Sequence, residues 1–397
     1  MGGVIFHLSS VLRIFFRLTT LPKHIALVHD WLVSMRGGEK VLEVLCELFP
    51  DATLFTLVHK NGSVSSTIER MHIKTSFLQN MPFGKSHYQY YLPLYPTAVQ
   101  QFDLSDFDVV ISSSHAVAKG VRVRKDALHI CYCYTPMRYI WDLYDDYFGH
   151  GRANVLTRTA MKFSLSYLRK WDIETSKGVD HFIAISAHVK ERIKRIYQRD
   201  AEVIYPPVDV HRFSLPALPL RQAGVSPNDN GYYLIVSALV PYKRIDLAIE
   251  AFNQLGEKLV IIGEGSEEKQ LKSRARQNIE FLGWVNDDEL RKYYSECRAL
   301  IFPGEEDFGI VPVEAMACGK PVVAYAKGGT METVINGTTG LFFHEQTAGS
   351  LQQAIQKFQQ MIFDPVVIRN QTLQFERNRF KASVEQYIMG KWLKHLS

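Results

Sequence analysis

Two glutamates and two adjacent cations carry the chemistry that can be read from this chain of 397 residues. Glu306 lies in an acidic, glycine-containing loop, Glu305-Glu306-Asp307-Phe308-Gly309, and Glu314 lies in the first turn of the helix predicted to follow it. Lys243 and Arg244 fall between a predicted strand, Tyr232–Ser237, and a predicted helix, Asp246–Asn253. Carboxylates accept hydrogen bonds from ligand hydroxyls, and cations before a helix suit phosphate oxygens. Without an anion, the helix dipole disfavours cations at that end. The set therefore predicts a ligand with both hydroxyls and phosphate. Taken alone, Glu314 has a simpler reading, as a carboxylate complementing a helix dipole.

The elements that hold these residues follow from apolar runs and punctuation. Ala299–Phe302 is a short apolar run of the kind buried on both faces of a parallel sheet, and Pro303-Gly304 ends it. Pro312 suits the start of the next helix, Gly319 ends that helix, Pro321–Tyr325 is a second buried strand, and Gly328-Gly329 opens another loop. Similar runs predict strands at His24–His29, Asp108–Ser113, His129–Tyr134, Asp180–Ser186, Glu202–Tyr205, Lys258–Ile262 and Ile279–Leu282, alternating with helices such as Val41–Leu48, Ala187–Tyr197 and Asp287–Cys297. This is an α/β pattern of doubly wound sheets, whose ligands bind outside the carboxyl ends of the strands. Glu306 falls at that edge, as does His115, which follows its strand in Ser-Ser-Ser-His-Ala. Asp106-x-Asp108 precedes its strand and falls at the opposite edge, so it is not assigned to a metal. Gly263-x-Gly265 lacks the third glycine of a dinucleotide fingerprint. Gly37-Gly38, before the first helix, suits either a plain turn or the close approach of a diphosphate.

The longest pattern has a family likeness. Glu306-x-Phe308-Gly309, then Glu314-Ala-Met-Ala-x-Gly319-x-Pro321-Val, Gly328-Gly329 and Gly340-Leu, resembles the donor-site signature of the retaining nucleotide-sugar glycosyltransferases of family 4. That resemblance implies a GT-B fold: two Rossmann-like domains facing across a cleft, with a C-terminal helix crossing back. It implies that Glu306, His115 and Lys243 are catalytic. It implies that Gly37, Gly38, Arg244, Asp307, Phe308, Gly309, Ile310, Val311 and Glu314 bind the donor, with Glu314 on the ribose hydroxyls. The family usually has an arginine where this chain has Ala238. It implies no cofactor beyond the nucleotide sugar and no metal. His-Asp-Trp-Leu and Met-Arg-Gly-Gly-Glu-Lys near the N-terminus, with Val-Ser-Ala-Leu-Val-Pro-Tyr-Lys-Arg, resemble bacterial surface-polysaccharide transferases, which often take mannose from GDP-mannose. Two other readings stay open, a sugar-nucleotide epimerase of the same fold and a non-catalytic nucleotide-sugar-binding protein, and the intact set of Glu306, Glu314 and Lys243 argues against the second.

Length and punctuation put a domain boundary at a proline-studded linker (213–230), and the resemblance implies an N-terminal extension (1–22), an acceptor-side domain (23–212), a nucleotide-sugar domain (231–374) and a returning helix (375–397). Charge is uneven. Residues 1–200 hold 25 Lys/Arg against 18 Asp/Glu, whereas the whole chain is only +5. A mildly basic N-terminal half suits phosphates or an anionic membrane surface, and no motif points to nucleic acid. The basic amphipathic stretch 152–171 reads as a solvated helix or as a membrane-facing element near a lipid-linked acceptor. Residues 1–22 are too interrupted to span a bilayer and suit an interfacial helix or a loose extension. The tyrosine- and proline-rich stretch 77–102 is a packed loop or part of an acceptor groove. Arg138 either pairs with Asp142 or faces the acceptor. Five scattered cysteines read as free thiols. The expected partners are a nucleotide sugar and a glycan or lipid-linked acceptor. The expected location is the cytoplasm, at the inner face of the membrane.

Overall fold

The computed structural model describes residues 22, 24–142, 155–213 and 231–397. The expected extension up to Leu21, residues 214–230 of the linker and residues 152–154 of the basic stretch lie outside them. Thirteen strands form two wholly parallel sheets among the described residues. The first has the order β3-β2-β1-β4-β5-β6-β7, with β1 at Ile25–His29, β2 at Thr53–Thr56, β3 at His72–Thr75, β4 at Val109–Ser114, β5 at Leu128–Cys133, β6 at His181–Ala184 and β7 at Ala201–Val203. The second has the order β10-β9-β8-β11-β12-β13, with β8 at Tyr233–Val236, β9 at Leu259–Ile262, β10 at Ile279–Gly283, β11 at Ala299–Phe302, β12 at Val322–Tyr325 and β13 at Gly340–Phe343. In both sheets the order reverses beside the first strand, at β1/β4 and at β8/β11. Each reversal opens a crevice at the carboxyl ends.

The central strands are apolar because helices cover both faces. β4, β5, β9 and β11 are buried along their whole length. The amphipathic helix Ile245–Leu255 buries Ile245, Leu247, Ala248, Ile249, Ala251 and Phe252 and ends at Gly256 in the left-handed region. The last helix, Arg377–His395, leaves the second domain and packs on the first. Arg377 reaches Glu43 and Glu47 at 3.2 and 2.6 Å, and Phe380 stacks edge-on against Tyr132 of β5. No described helix is long and apolar enough to cross a membrane.

Four local expectations change. Glu314 lies in the second turn of the helix Ile310–Ala317, not in its first. The sequence reading contained neither β2 nor β3. The first helix starts at Gly37 rather than Val41, so Gly37 and Gly38 lie inside its first turn instead of in a preceding loop. The stretch 77–102 is partly helical, with a 3₁₀ segment at Tyr88–Leu94 running into a helix at Tyr95–Gln100.

Candidate active site

The two crevices face each other and enclose a cavity of about 490 Å³. Its second-domain wall carries Ala238, Lys243, Glu306, Asp307, Phe308, Gly309, Ile310 and Val311, and its first-domain wall carries Trp31, Gly37, Gly38, Tyr88, His115, Tyr134 and Arg138. Ten of the twelve residues singled out in the sequence line it. Arg244 and Glu314 do not.

On the second-domain side, two loops set the chemistry. After β8, a 3₁₀ turn at Pro241–Lys243 directs Lys243 toward the loop after β11, where its ammonium meets the Glu306 carboxylate. The Glu306 backbone bridges to Gly328, and Gly329 donates its N–H to the Glu306 carbonyl at 2.8 Å, so the glycine pair after β12 holds the acidic loop. Gly309 caps the next helix, Ile310–Ala317, at φ +88°, a conformation glycine adopts without steric cost. The free N–H groups of that helix start open on the cavity. Burial and the neighbouring Arg138 guanidinium pull the Lys243 ammonium down to about 7, with Asp307 opposing. Contact with the Glu306 carboxylate works in the other direction and supplies the counter-ion.

Arg244 sits in the left-handed region at φ 53° and is tied to Asp246 and Gln346, both at 3.2 Å. Glu314 is buried: Lys40 of the first domain donates to one oxygen at 3.1 Å and the Tyr294 hydroxyl to the other at 3.1 Å. The Asp307 carboxylate turns to the first domain. Arg192 holds it at 2.6 Å and Arg138 approaches at 3.4 Å, while the Ser186 hydroxyl donates to the Asp307 carbonyl at 2.6 Å. Arg138 therefore does not pair with Asp142, which binds Arg192 and Arg195 instead. Glu332 of the second domain accepts from the N–H groups of Ala187 and His188, at 2.7 and 3.0 Å, and so caps a first-domain helix, Ala187–Tyr197, from across the cleft.

The first-domain wall rests on Asp30, which the sequence reading passed over. It follows β1 directly and is fully buried. Its carboxylate accepts four backbone N–H groups, from His115, Ala116, Val117 and Ala118, at 2.7 to 3.0 Å, and contacts His115 Nδ1 at 3.0 Å. Burial works against the charged carboxylate, but His115, His29 and these hydrogen bonds hold Asp30 well below the usual carboxylate range. Burial likewise works against a charged His115, and Asp30 overrides it, so the imidazole pKa is raised. Trp31 meets the His115 ring edge-on at 4.5 Å. Its place at the carboxyl end of the first strand was the available signal for Asp30.

A second buried network sets the glycine turn. Tyr134 donates to the Gly38 carbonyl at 2.8 Å, Ser113 lies 2.7 Å from the Tyr134 hydroxyl, and His29 Nδ1 lies 3.0 Å from Ser113 Oγ. A carbonyl only accepts, so the protons run one way, from His29 through Ser113 and Tyr134 to Gly38. Gly37 comes so close to the second domain that a Cβ there would lie 2.9 Å from Ile310 Cδ1.

The family models match both halves of this architecture. Glycosyltransferase Family 4 matches residues 37–212, and Glycosyl transferases group 1 matches residues 219–361. The chain belongs to glycosyltransferase family 4. An uncharacterised glycosyltransferase of Methanocaldococcus jannaschii is 31% identical over 211 residues, 52% of this chain and 56% of that protein. The O-antigen chain mannosyltransferase RfbU of Salmonella typhimurium is 26% identical over 244 residues, 58% of this chain and 64% of that protein. The chain thus spans little more than half the length of the first relative and under two thirds of the second. The crystal structure of Anabaena HepE in complex with UDP matches 92% of this chain and 100% of its own, with a TM-score of 0.66 at 16% identity. That likeness concerns the GT-B fold, which this family 4 chain shares.

Proposed function

We propose that this family 4 chain is a retaining hexosyltransferase that moves mannose from GDP-mannose to a glycan or lipid-linked oligosaccharide in surface-polysaccharide synthesis. The observation that carries the reading is the opposition of Lys243 and Glu306 to Gly37 and His115 across one cavity. A sugar diphosphate offers each wall a matching group. The diphosphate meets Lys243 and the N–H groups of the helix start at Ile310 and Val311. The sugar hydroxyls meet Glu306, the backbone from Asp307 to Gly309, and His115. Glu314 takes the ribose hydroxyls, for which Lys40 gives up its place.

In the proposed reaction the bond from sugar C1 to the diphosphate oxygen breaks. The bond from C1 to the acceptor oxygen forms on the same face, and the acceptor proton leaves on the diphosphate. Lys243 and the helix N–H groups stabilise the charge growing on that leaving group, the kind of term that usually dominates such barriers. His115, held in orientation by Asp30 through Nδ1, offers Nε2 to a sugar hydroxyl. The RfbU relative, an O-antigen chain mannosyltransferase, supports mannose and a surface glycan. The basic first domain supports a place in the cytoplasm at the inner face of the membrane.

The test is a thermal-shift screen of GDP, UDP, ADP and TDP and their sugars, followed by transfer from whichever sugar nucleotide stabilises the chain. Ligand binding to the folded state raises its melting temperature. Stabilisation by GDP and GDP-mannose, with an unchanged anomeric configuration in the product, is the expected result. Stabilisation by a different base overturns the donor, and no shift with any of them overturns the reading.

A further inference from the structure

The cavity holds a cation whose hydrogen-bonding capacity is largely unused. Arg138 follows β5 on the short helix Arg138–Trp141. That helix is firmly anchored: Met137 and Ile140 are fully buried, the Ile140 carbonyl accepts from Arg169 at 2.7 Å, and Trp141 donates to the buried Asp172 at 2.8 Å. The guanidinium lies over the Tyr242 ring at 5.3 Å, and the side chain is only 17% exposed. Among the described residues its one hydrogen bond is a long one, to the Glu305 carbonyl at 3.4 Å, and its Nε is buried without a partner there. Its contact with Asp307 is also long, at 3.4 Å, and Asp307 is already held by Arg192 at 2.6 Å. Asp307 thus keeps a counter-ion when Arg138 turns away. A half-buried guanidinium whose Nε is buried without a partner is costly, and an entering ligand can complete it.

The second-domain wall has room for what Arg138 offers. Lys243 is the cation that this wall contributes, since position 238 is an alanine and Arg244 is tied to Asp246 and Gln346. Arg36 reaches the cavity only at its exposed rim. Arg138 and Lys243 are close enough for the guanidinium to depress the ammonium. Two like charges that burden each other become complementary when an anion with two charged groups enters between them.

Resting on the functional reading above, we infer that Arg138 is the second diphosphate-binding cation of this enzyme, supplied from the acceptor-side domain and swinging from Asp307 to the phosphates. The fork of Arg138 grips phosphate oxygens opposite Lys243, so the diphosphate itself draws the two domains together. The leaving group is then held from both walls.

The experiment is calorimetric titration of wild type, Arg138→Gln and Arg138→Lys. The ligands are the diphosphate among GDP, UDP, ADP and TDP that wild type binds, its monophosphate and its nucleoside. Melting temperatures of the free proteins verify folding. Expected is a loss of about tenfold to a hundredfold in diphosphate affinity for Arg138→Gln, as for a hydrogen-bonded charge. Nucleoside affinity stays within about twofold of wild type, and Arg138→Lys recovers part of the diphosphate affinity, because a lysine keeps the charge without the fork. Equal losses for all three ligands show that Arg138 acts only through domain packing and overturn the inference, as does wild-type diphosphate affinity in Arg138→Gln. Failure of wild type to bind any of the four diphosphates overturns the functional reading itself.

Discussion

Asp30 and His115 stand 85 residues apart in the chain, yet the Asp30 carboxylate contacts His115 Nδ1 and accepts the N–H groups of the turn that carries it. One residue thereby fixes both the ring and the backbone of a cavity-lining histidine. The two groups shift in opposite directions, and their contributions to stability follow. Asp30 is depressed from 3.8, so its contribution is present above that value and is lost as pH falls through the folded pKa. His115 is raised from 6.5, so its contribution is full below 6.5 and is lost as pH rises through the folded pKa. The pair therefore stabilises most between about pH 4 and 6.5. The melting-temperature gap between wild type and Asp30→Asn is expected to be widest there and to narrow toward pH 9. A gap independent of pH would mean that His115 stays neutral. Asp30→Ala, which leaves four N–H groups unpaired, is expected to cost about 3–5 kcal/mol in chemical denaturation.

Lys243→Ala and Glu306→Ala are each expected to lower kcat by about a hundredfold to a thousandfold while the circular dichroism of the folded chain is retained. Because Glu306 is the counter-ion of Lys243, the double variant is expected to lose less than the product of the single effects. Steady-state turnover of the three variants decides this. Wild-type turnover in either single variant would remove that residue from the site.

Under the proposed function Glu314 takes the ribose hydroxyls. Glu314→Gln is expected to weaken binding of the cognate nucleoside diphosphate about tenfold. The telling comparison uses the 2′,3′-dideoxy nucleotide. Wild type is expected to bind it about tenfold less well than the ribonucleotide, whereas Glu314→Gln should treat the two alike. Continued discrimination by the variant would leave Glu314 as a structural partner of Lys40 and Tyr294.

Chelation offers a further check. In the proposed complex Lys243, the helix start at Ile310 and Arg138 would supply the positive potential that a divalent ion gives a diphosphate elsewhere. Transfer rates are accordingly expected to be unchanged after treatment with EDTA and passage into metal-free buffer. A loss of turnover restored by magnesium or manganese would show that these groups do not suffice.

Single elements were legible in both domains. Ala299–Phe302 and Ala187–Tyr197 have the predicted limits, because a wholly apolar run between breakers and a capped amphipathic period leave little choice. β2 and β3 were illegible for the converse reason. Each has four residues, and β3, His72–Thr75, lies at the sheet edge with exposed and half-buried positions that show no apolar run. The acidic loop and Lys243 were legible as loop residues at a sheet's ligand edge. Asp30 was not, since a lone acid after a strand has many readings until β4 is laid beside β1. Arg244 could not be separated from Lys243 by sequence: neighbouring residues in a turn point in different directions, and the left-handed backbone at Arg244 sends its side chain to Gln346. The Lys40–Glu314 contact joins residues 274 positions apart, beyond any local pattern.

The contacts across the cleft differ from one end to the other. Beside the cavity they are ion pairs and caps: Lys40 on Glu314, Arg192 on Asp307, Glu332 on the helix at Ala187. Where the chain passes between domains, rings join them beside ion pairs such as Arg212 on Asp287. Tyr205 packs on Phe308 and Phe375, and Phe213 packs on Tyr294, next to the two places where the chain crosses over. Polar contacts exchange readily with water, whereas an aromatic seam resists being wetted. The contacts that give way at least cost are therefore the charged ones beside the cavity, and the rings beside the crossovers are the ones that resist separation.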